Sequence, residues 1–505
     1  MTKKIIDIKQ AELLAADLKK QKKKIVLCHG TFDLLHTGHI KHMQNAKAQG
    51  DILFVSITAD SFVLKGPGRP VFNEQLRSDN IAALESVDYV FINHSQTALL
   101  SIDAIKPSYY AKGSDYKNSS EDVTGNIERE INAVKLHGGS IYFTNEITFS
   151  SSALINDYFS SFNDEVKDFL NFFKNKNSDQ DLFEKIDSFK DKSVMIIGDA
   201  IVDEYNYVEP LGQTGKGNIL SVNHLYTEKY AGGSIAVANH LANFAKKIDL
   251  VCGIGSNDDL GNFLNNSSLP NVSCNFFKTS EYTLVKKRYI DQDLNKYFEV
   301  YSSGPSYIEE KVESQVIDFL KENLEKYDLI VVPDFGNGFI TNRMAKVIQE
   351  SPGFLAINTQ INSGNRGYHV IGKYQKANYI SINEPEARLA THNKIDPIES
   401  IANEIKNKIT KSDYISVTLG KNGLYSLGKN NESVRVPALS LGVVDRVGAG
   451  DAFLALSSIS LASGLTIEES SFIGSIAAAI DVQIVCNKEY VNDIRLKKYI
   501  STLLK

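Results

Sequence analysis

Apolar residues along this chain fall into two arrangements: short unbroken runs and stripes at helical spacing. Near the N-terminus, Ile5, Ile6, Leu13, Leu14 and Leu18 recur at roughly helical spacing, and lysines dominate afterwards, which predicts a helix. Three short runs follow: Ile25-Val26-Leu27-Cys28, the stretch Ile52 to Ile57, and Tyr89-Val90-Phe91-Ile92. Each is separated from the next by a helix-length segment, and that alternation predicts a parallel sheet with helices on both faces. From about Tyr158 to Lys190 the pattern turns polar with scattered phenylalanines, which predicts a helical linker. A new apolar run, Val194-Met195-Ile196-Ile197, then opens a second alternating unit that continues to the C-terminus. The expected fold class is therefore α/β. Two doubly wound domains cover residues 1–158 and 191–505, joined by a linker over 159–190.

Composition narrows the field. Hydrophobic residues make up 42% of the 505 and charged residues 23%, which excludes a mainly disordered chain. The formal charge of −6 argues against general nucleic-acid binding while leaving room for a local phosphate pocket. Cys28, Cys252, Cys274 and Cys486 are scattered without metal-ligand spacing, as in a reducing compartment. No apolar run reaches the ~20 residues that span a bilayer, and the N-terminus does not have the form of a signal peptide. A soluble cytoplasmic protein is expected, with small-molecule partners, no membrane or nucleic-acid partner, and a homodimer as the assembly.

Residues 30–39 read GTFDLLHTGH. Gly30 follows a buried run, and His36 and His39 stand three apart at a predicted helix start, so both imidazoles share one face. Helix N-termini favour phosphate, and two histidines there fit a bound triphosphate; they also fit capping or core histidines. Zinc is a third option, but no acidic third ligand stands nearby. The decapeptide resembles the HxGH signature of the nucleotidyltransferase superfamily. Further segments in the same order, Lys65-Gly66-Pro67-Gly68-Arg69-Pro70, Lys112-Gly113-Ser114-Asp115-Tyr116 and Phe149-Ser150-Ser151-Ser152, resemble the heptose 1-phosphate adenylyltransferases.

That resemblance covers about residues 20–158 and implies a Rossmann-like nucleotidyltransferase. His36 and His39 would be catalytic. Gly30, Thr31, Phe32, Lys112, Ser150, Ser151 and Ser152 would hold the nucleotide and its phosphates, and Asp33, Lys65, Arg69 and Arg77 the substrate. Arginine suits a bidentate phosphate clamp; Asp33 fits a metal or ribose contact and a turn residue equally. The nucleophile would be a substrate phosphate, already anionic, so the site needs alignment and charge neutralisation and no base.

Residues 445–453 read DRVGAGDAF, followed by an apolar helical run. Gly448, Ala449 and Gly450 let the backbone approach an anion, and Asp451 falls in the first helical turn, placed to take a proton from a hydroxyl. A Gly-rich turn with an aspartate cap is the plain alternative. The segment resembles the C-terminal signature of ribokinase-like, pfkB-type sugar kinases, over about residues 190–505. Under that resemblance Asn383 and Glu386 form the NxxE element that organises Mg²⁺, and Thr418 and Gly420 face ATP. Asp199, Asp203, Gly232, Gly233, Lys286 and Arg288 hold the substrate, and Asp334 falls on a matching segment.

Together the two halves resemble the bacterial bifunctional enzymes of ADP-heptose synthesis, with the domain order reversed. The resemblance implies ATP-dependent phosphorylation of a sugar phosphate such as heptose 7-phosphate, then nucleotidyl transfer from ATP or CTP to the sugar 1-phosphate. Mg²⁺ would enter through the substrate phosphates, without a dedicated protein cluster. Alternatives are a CTP-dependent enzyme of a polyol phosphate and a non-catalytic C-terminal module. Two sequence departures stand out: Ala236 replaces the family's usual Asn, and Ile357-Asn358-Thr359-Gln360 replaces an Asp-Pro-Lys-like element.

Overall fold

A computed structural model describes residues 4–66, 68–113, 126–144, 162–215, 217–302 and 308–505. The chain forms two compact units, Met1–Phe162 together with Lys497–Lys505, and Asn163–Leu496.

In the first unit, β1 (Ile25–Gly30), β2 (Ile52–Thr58), β3 (Tyr89–Asn93), β4 (Tyr109–Gly113) and β5 (Ser140–Thr144) form a parallel sheet in the order β3-β2-β1-β4-β5. The period of a strand decides its packing. Val26 and Cys28 feed one core cluster with Met43 and Val55, while Ile25 and Leu27 feed another with Phe54 and Phe91. The predicted first helix is present as Ile8–Lys20, opened by a capping box between Asp7 and Gln10. Strand order reverses about β1, so the carboxyl ends of β1 and β4 border a topological switch point, where open α/β sheets take ligands. The 30–39 turn begins there.

In the second unit the expected linker is helical and packed. Helices Asp164–Lys174 and Asp179–Asp187 lie on the helix Ile467–Asp481. Phe173 is fully buried and stacks on Phe472 with ring centroids 4.1 Å apart, and Lys185 pairs with Glu469 at 2.7 Å. The scattered phenylalanines are what bury the segment.

The sheet of this unit has twelve strands. They are β6 (Ser193–Gln213), β7 (Leu220–Gly233), β8 (Lys247–Gly255), β9 (Val272–Ser280), β10 (Leu284–Ile290), β11 (Lys296–Ser302), β12 (Leu329–Asp334), β13 (Phe354–Thr359), β14 (Lys376–Asn383), β15 (Lys411–Thr418), β16 (Leu424–Leu427) and β17 (Ser433–Val436). Strand β6 is shared between two regions. Up to Asp199 it pairs in parallel with β8 and β12 in the main sheet, β9-β8-β6-β12-β13-β14-β15-β16-β17. From Ala200 onward it pairs antiparallel with β7 and parallel with β10, in a smaller sheet β11-β10-β6-β7. Four polar residues of this strand, Asp199, Asp203, Glu204 and Asn206, are buried among its apolar ones. Such burial costs free energy unless each group is partnered, and it marks where the sheet carries chemistry.

Candidate active sites

The first site is built on the β1 turn. Phe32 adopts a left-handed conformation (φ 49°), and its ring meets His39 edge-on at 5.4 Å. His36 is the N-cap of the helix Thr37–Lys47, where its Nδ1 accepts the Gly38 N–H at 3.1 Å. An accepting Nδ1 puts the proton of neutral His36 on Nε2. His36 and His39 stack with centroids 3.9 Å apart. Burial lowers the pKa of His36, and burial followed by the charges of His36, Lys65 and His42 takes His39 down to about 3. Both rings are therefore neutral hydrogen-bonding groups at pH 7, at the start of a helix.

The surrounding loop sorts the other candidates. Asp33 is buried and accepts the backbone N–H groups of Val71 and Phe72 at 2.8–2.9 Å, with Arg69 at 3.9 Å. Those bonds are those of a turn organiser. Arg77 is not a phosphate clamp. Its guanidinium is fully buried, with Nε donating to the Phe72 carbonyl, Nη1 to that of Thr31, and Nη2 to that of Thr58 and to Asp60. It ties three loop segments together and has no face left for a ligand. Gly30 lies at the end of β1 under the Phe32 ring. Lys112, at the end of β4, pairs with buried Glu130 at 3.0 Å. Ser150, Ser151 and Ser152 lie outside the described residues.

His29 and His42 were missed by the sequence argument. His29 Nδ1 lies 2.6 Å from Ser56 Oγ, and His42 Nδ1 lies 2.8 Å from Thr144 Oγ1. Burial, then the charge of Lys112, takes them to about 3 and about 4. His42 follows His39 by three residues, so the run H-x-x-H-x-x-H from His36 was a legible sign of a third imidazole on that face.

The second site gathers at the carboxyl ends of the main-sheet strands and the start of the helix Ala449–Ala462. Gly448 caps that helix at φ 103°, and a Cβ there would lie 2.8 Å from Asp481 Oδ2 and 2.9 Å from Asn487 Oδ1, so only glycine fits. Ala449 and Gly450 open the first turn, where N–H groups have no intrahelical acceptor, and the space beside Gly450 is open. Asp451 is buried in the same turn and accepts from Gln360 Nε2 at 3.1 Å. Burial, then the negative charge of Asp203, raises it to about 7, against a lowering by Lys286. A carboxylate poised near neutrality fits a general base.

Asp203 is ion-paired with Arg288, which also reaches Glu299 at 3.1 Å. Gly232 makes room for that pair, since a Cβ would lie 2.0 Å from Asp203 Oδ2. Lys286 lies over the Tyr301 and Phe335 rings at 5.7 Å each, and the charges of Asp203, Asp451 and Asp199 all act on it. Asp199 accepts the N–H groups of Phe335 and Phe339, and burial together with Asp334 pushes its pKa up. Asp334 in turn accepts from Lys373 at 2.7 Å and Tyr374 at 2.8 Å. Gly233 precedes the helix Ser234–Ala242 at φ 62°.

The N-x-x-E element is first of all a capping box. Asn383 Oδ1 accepts the Glu386 N–H at 2.9 Å, Glu386 Oε2 accepts the Asn383 N–H at 2.8 Å, and Oε1 accepts from Ile361 at 3.2 Å. Burial lifts Glu386 to about 7. A carboxyl so occupied does not fit a direct Mg²⁺ ligand, and among the described residues no group of three or more His, Cys, Asp or Glu is placed to hold a metal. Thr418 ends β15 opposite Asn383 of β14, followed by Gly420 at φ 59°.

Residues 191–485 match the pfkB family carbohydrate kinases, more than half of the chain. The chain belongs to that family. Residues 27–157 of this pfkB kinase match a second family, described as cytidylyltransferase-like. Its N-terminal region is similar to two curated proteins named bifunctional protein HldE: 44% identical over 133 residues to that of Aliarcobacter butzleri, and 36% over 146 residues to that of Helicobacter pylori strain J99. Those matches span 26–28% of this chain and only 28–29% of the relatives' own length. Among solved structures, phosphofructokinase-2 from Escherichia coli in complex with substrates and products aligns over 62% of this chain and 100% of that one, at TM-score 0.51 and 16% identity, which establishes the fold. The ribokinase-like and Rossmann-type assignments hold.

The departures of this pfkB kinase now have places. Ala236 is fully buried in the helix Ser234–Ala242. Asn358 donates to the Ser381 carbonyl at 2.7 Å, bracing β13 against β14. Gln360, at the end of the replaced element, is the residue that touches Asp451. Asn362 and Asn365 both donate to the Phe335 carbonyl, stitching two loops beside Asp199.

Proposed function

We propose that this chain is a bifunctional transferase making a nucleotide-activated sugar. The second unit would phosphorylate a sugar phosphate using ATP, heptose 7-phosphate by the resemblance of the two halves to the enzymes of ADP-heptose synthesis. The first unit would transfer a nucleotidyl group from ATP or CTP to the resulting sugar 1-phosphate, releasing pyrophosphate. The observation that carries this is the pair of helix starts, His36–His39 and Gly448–Asp451, each bringing first-turn N–H groups together with chemically matched side chains.

In the kinase step Asp451 takes the proton of the attacking hydroxyl, while the first-turn amides of Gly448, Ala449 and Gly450 face the charge that develops on the transferred phosphoryl group. Lys286 adds positive charge beside them, and Asp199 and Asp203 bind sugar hydroxyls. In the nucleotidyl step the acceptor phosphate is itself the nucleophile. His36 donates Nε2–H and His39 flanks it, holding oxygens of the triphosphate, with Lys65 and Arg69 toward the acceptor. Mg²⁺, if carried in on the nucleotide phosphates, would supply further charge neutralisation. A homodimer fits the exposed Tyr226, Phe298 and Val300 of the smaller sheet. No described helix is long and apolar enough to cross a membrane, which fits the proposed cytoplasmic location.

The test treats the halves separately. Pyrophosphate release is measured with each nucleoside triphosphate and a panel of sugar 1-phosphates, and sugar-dependent ADP release with ATP and sugar phosphates. His39→Ala should remove the first activity and leave the second; Asp451→Asn should cut the second by at least ~10²-fold. Wild-type protein that binds sugar and ATP without transfer would leave the C-terminal unit a binding module.

A further inference from the structure

The loop between the helices Ile467–Asp481 and Asp493–Leu504 borders the kinase site. Cys486 takes a left-handed conformation there (φ 48°), and its N–H donates to Asp445 Oδ2 at 3.1 Å, which fixes the loop against the segment leading to Gly448. The next residue, Asn487, is only 4% exposed. Its Oδ1 lies 2.9 Å from the place a Cβ on Gly448 would take, and its Nδ2 lies 3.6 Å from the corresponding place on Gly232. One carboxamide therefore spans from the anion-binding turn to the glycine beside Asp203. Neither end has a hydrogen-bond partner among the described residues, and a buried amide costs free energy until something pairs with it.

The surroundings decide which end faces the pocket. Burial takes the pKa of His240 down to about 3, so the ring is neutral. Val491 N–H donates to its Nδ1 at 3.2 Å, which puts the proton on Nε2, 3.5 Å from Asp481 Oδ1. His240 and Asp481 are fully buried, and burial, then the charges of Asp451 and Asp445, pushes the Asp481 carboxyl well up, with Arg495 opposing. Asp481 is thus a neutral acid with a proton to place. Its Oδ2 lies 2.8 Å from the same Gly448 position that Asn487 Oδ1 borders. A proton on Oδ2 directed at Asn487 Oδ1 satisfies both oxygens and leaves the Nδ2–H groups for the pocket. There, Asp203 gives Oδ1 to Arg288, while Oδ2, the oxygen next to Gly232, has no partner among the described residues. In the helix Ser234–Ala242 that follows Gly233, Asn239 is spent on the Ser267 carbonyl and the Leu269 N–H.

We propose that Asn487 is a substrate-recognition residue of the kinase, its Nδ2–H donating to a sugar hydroxyl whose own hydrogen goes to Asp203 Oδ2. This rests on the kinase reading above. Because Asn487 borders Gly448, the hydroxyl it reads is the neighbour of the one that attacks, the 2-hydroxyl of a sugar phosphorylated at its anomeric position. A donor and an acceptor held side by side recognise one hydroxyl and reject its absence, which leaves two buried groups unpaired. Asp481 is a positioning residue, acting through the direction it gives the Asn487 amide.

The experiment measures kcat/KM by ADP release in the full chain, with heptose 7-phosphate and its 2-deoxy analogue. Wild type should lose about tenfold or more on the analogue. Asn487→Ala should lose about tenfold on heptose 7-phosphate and stay within about twofold on the analogue. Should that variant not fold, Asn487→Ser, too short to reach the sugar, carries the same expectation. Asp481→Leu should shrink the wild-type discrimination, and Asp481→Asn, whose amide N–H replaces the carboxyl O–H, should restore it. Wild type that does not discriminate, or a loss in Asn487→Ala equal on both sugars, overturns the proposal. Full discrimination in Asp481→Leu removes Asp481 from it. If wild type releases no ADP with heptose 7-phosphate, that reading fails by itself. The subsite is then judged by calorimetric titration with the same two sugars. A wild-type preference for the hydroxylated sugar that Asn487→Ala abolishes supports it; equal preference in both proteins, or no binding by wild type, overturns it.

Discussion

Replacing Gln360 by leucine tests how the kinase base is tuned. Gln360 Nε2 donates to Asp451 Oδ1 at 3.1 Å. An N–H given to a carboxylate stabilises the ionised form, and deleting such a bond costs about 1.5–3 kcal/mol, or about one to two pH units of pKa. Asp451 already stands at about 7 because burial and Asp203 both disfavour its charge. The sign follows: without Gln360 the carboxyl is harder to ionise, so its pKa rises above 7 and the base is mostly protonated at neutral pH. Leucine matches glutamine closely in size, so packing at this half-buried position changes little. The assay is kcat/KM for ATP-dependent phosphorylation by ADP release, from pH 6 to 9.5. The variant should lose about five- to fifty-fold at pH 7 and return toward wild type near pH 9, its acid limb displaced upward. An acid limb left at the wild-type pH, or a loss equal at every pH, refutes the tuning argument.

Three further outcomes are expected. Arg77→Met should lower stability by about 3 kcal/mol, because it strands the buried carbonyl of Thr58 and the partly buried carbonyls of Thr31 and Phe72; thermal unfolding measures this, and an unchanged transition would return Arg77 to a ligand role. Gly232→Ala sets a Cβ against the Asp203 carboxylate and should displace it from Arg288, raising KM for the sugar substrate at least about fivefold; steady-state kinetics would show otherwise if the strand simply yields. His29 is held near pKa 3 in the folded chain, below its unfolded value of 6.5. Its contribution is therefore complete above pH 6.5 and is lost as the pH falls toward 3, at up to about 1.4 kcal/mol per pH unit. His29→Gln should flatten the acid decline in melting temperature, and a parallel decline would count against it.

The chemistry that lies close together along the chain was legible before any fold. GTFDLLHTGH holds a strand end, turn and helix start within ten residues, and DRVGAGDAF a turn and helix start, so local geometry alone brings their groups together. The two α/β units were visible for the same reason, in short apolar runs spaced by helix-length segments. Domain edges were less clear, because the phenylalanines of 163–190 look alike whether they are exposed in a linker or stacked as Phe173 is on Phe472.

What sequence could not decide is which distant residues meet. Parallel register sets Pro333 beside Asn358, Asp334 beside Thr359, and Asn383 beside Thr418, so loops far apart in the chain open at one sheet edge. That is how Gln360 reaches Asp451. In the first unit, an apparently surface arginine, Arg77, ends fully buried because its guanidinium meets the carbonyls of Thr31, Thr58 and Phe72 from neighbouring segments. Residue type and spacing determined which groups were capable of phosphorus chemistry. Long-range strand pairing and helix packing determined which of them share a site and which are spent holding it, because burial and partner, properties of the folded neighbourhood, set each side chain's charge and availability.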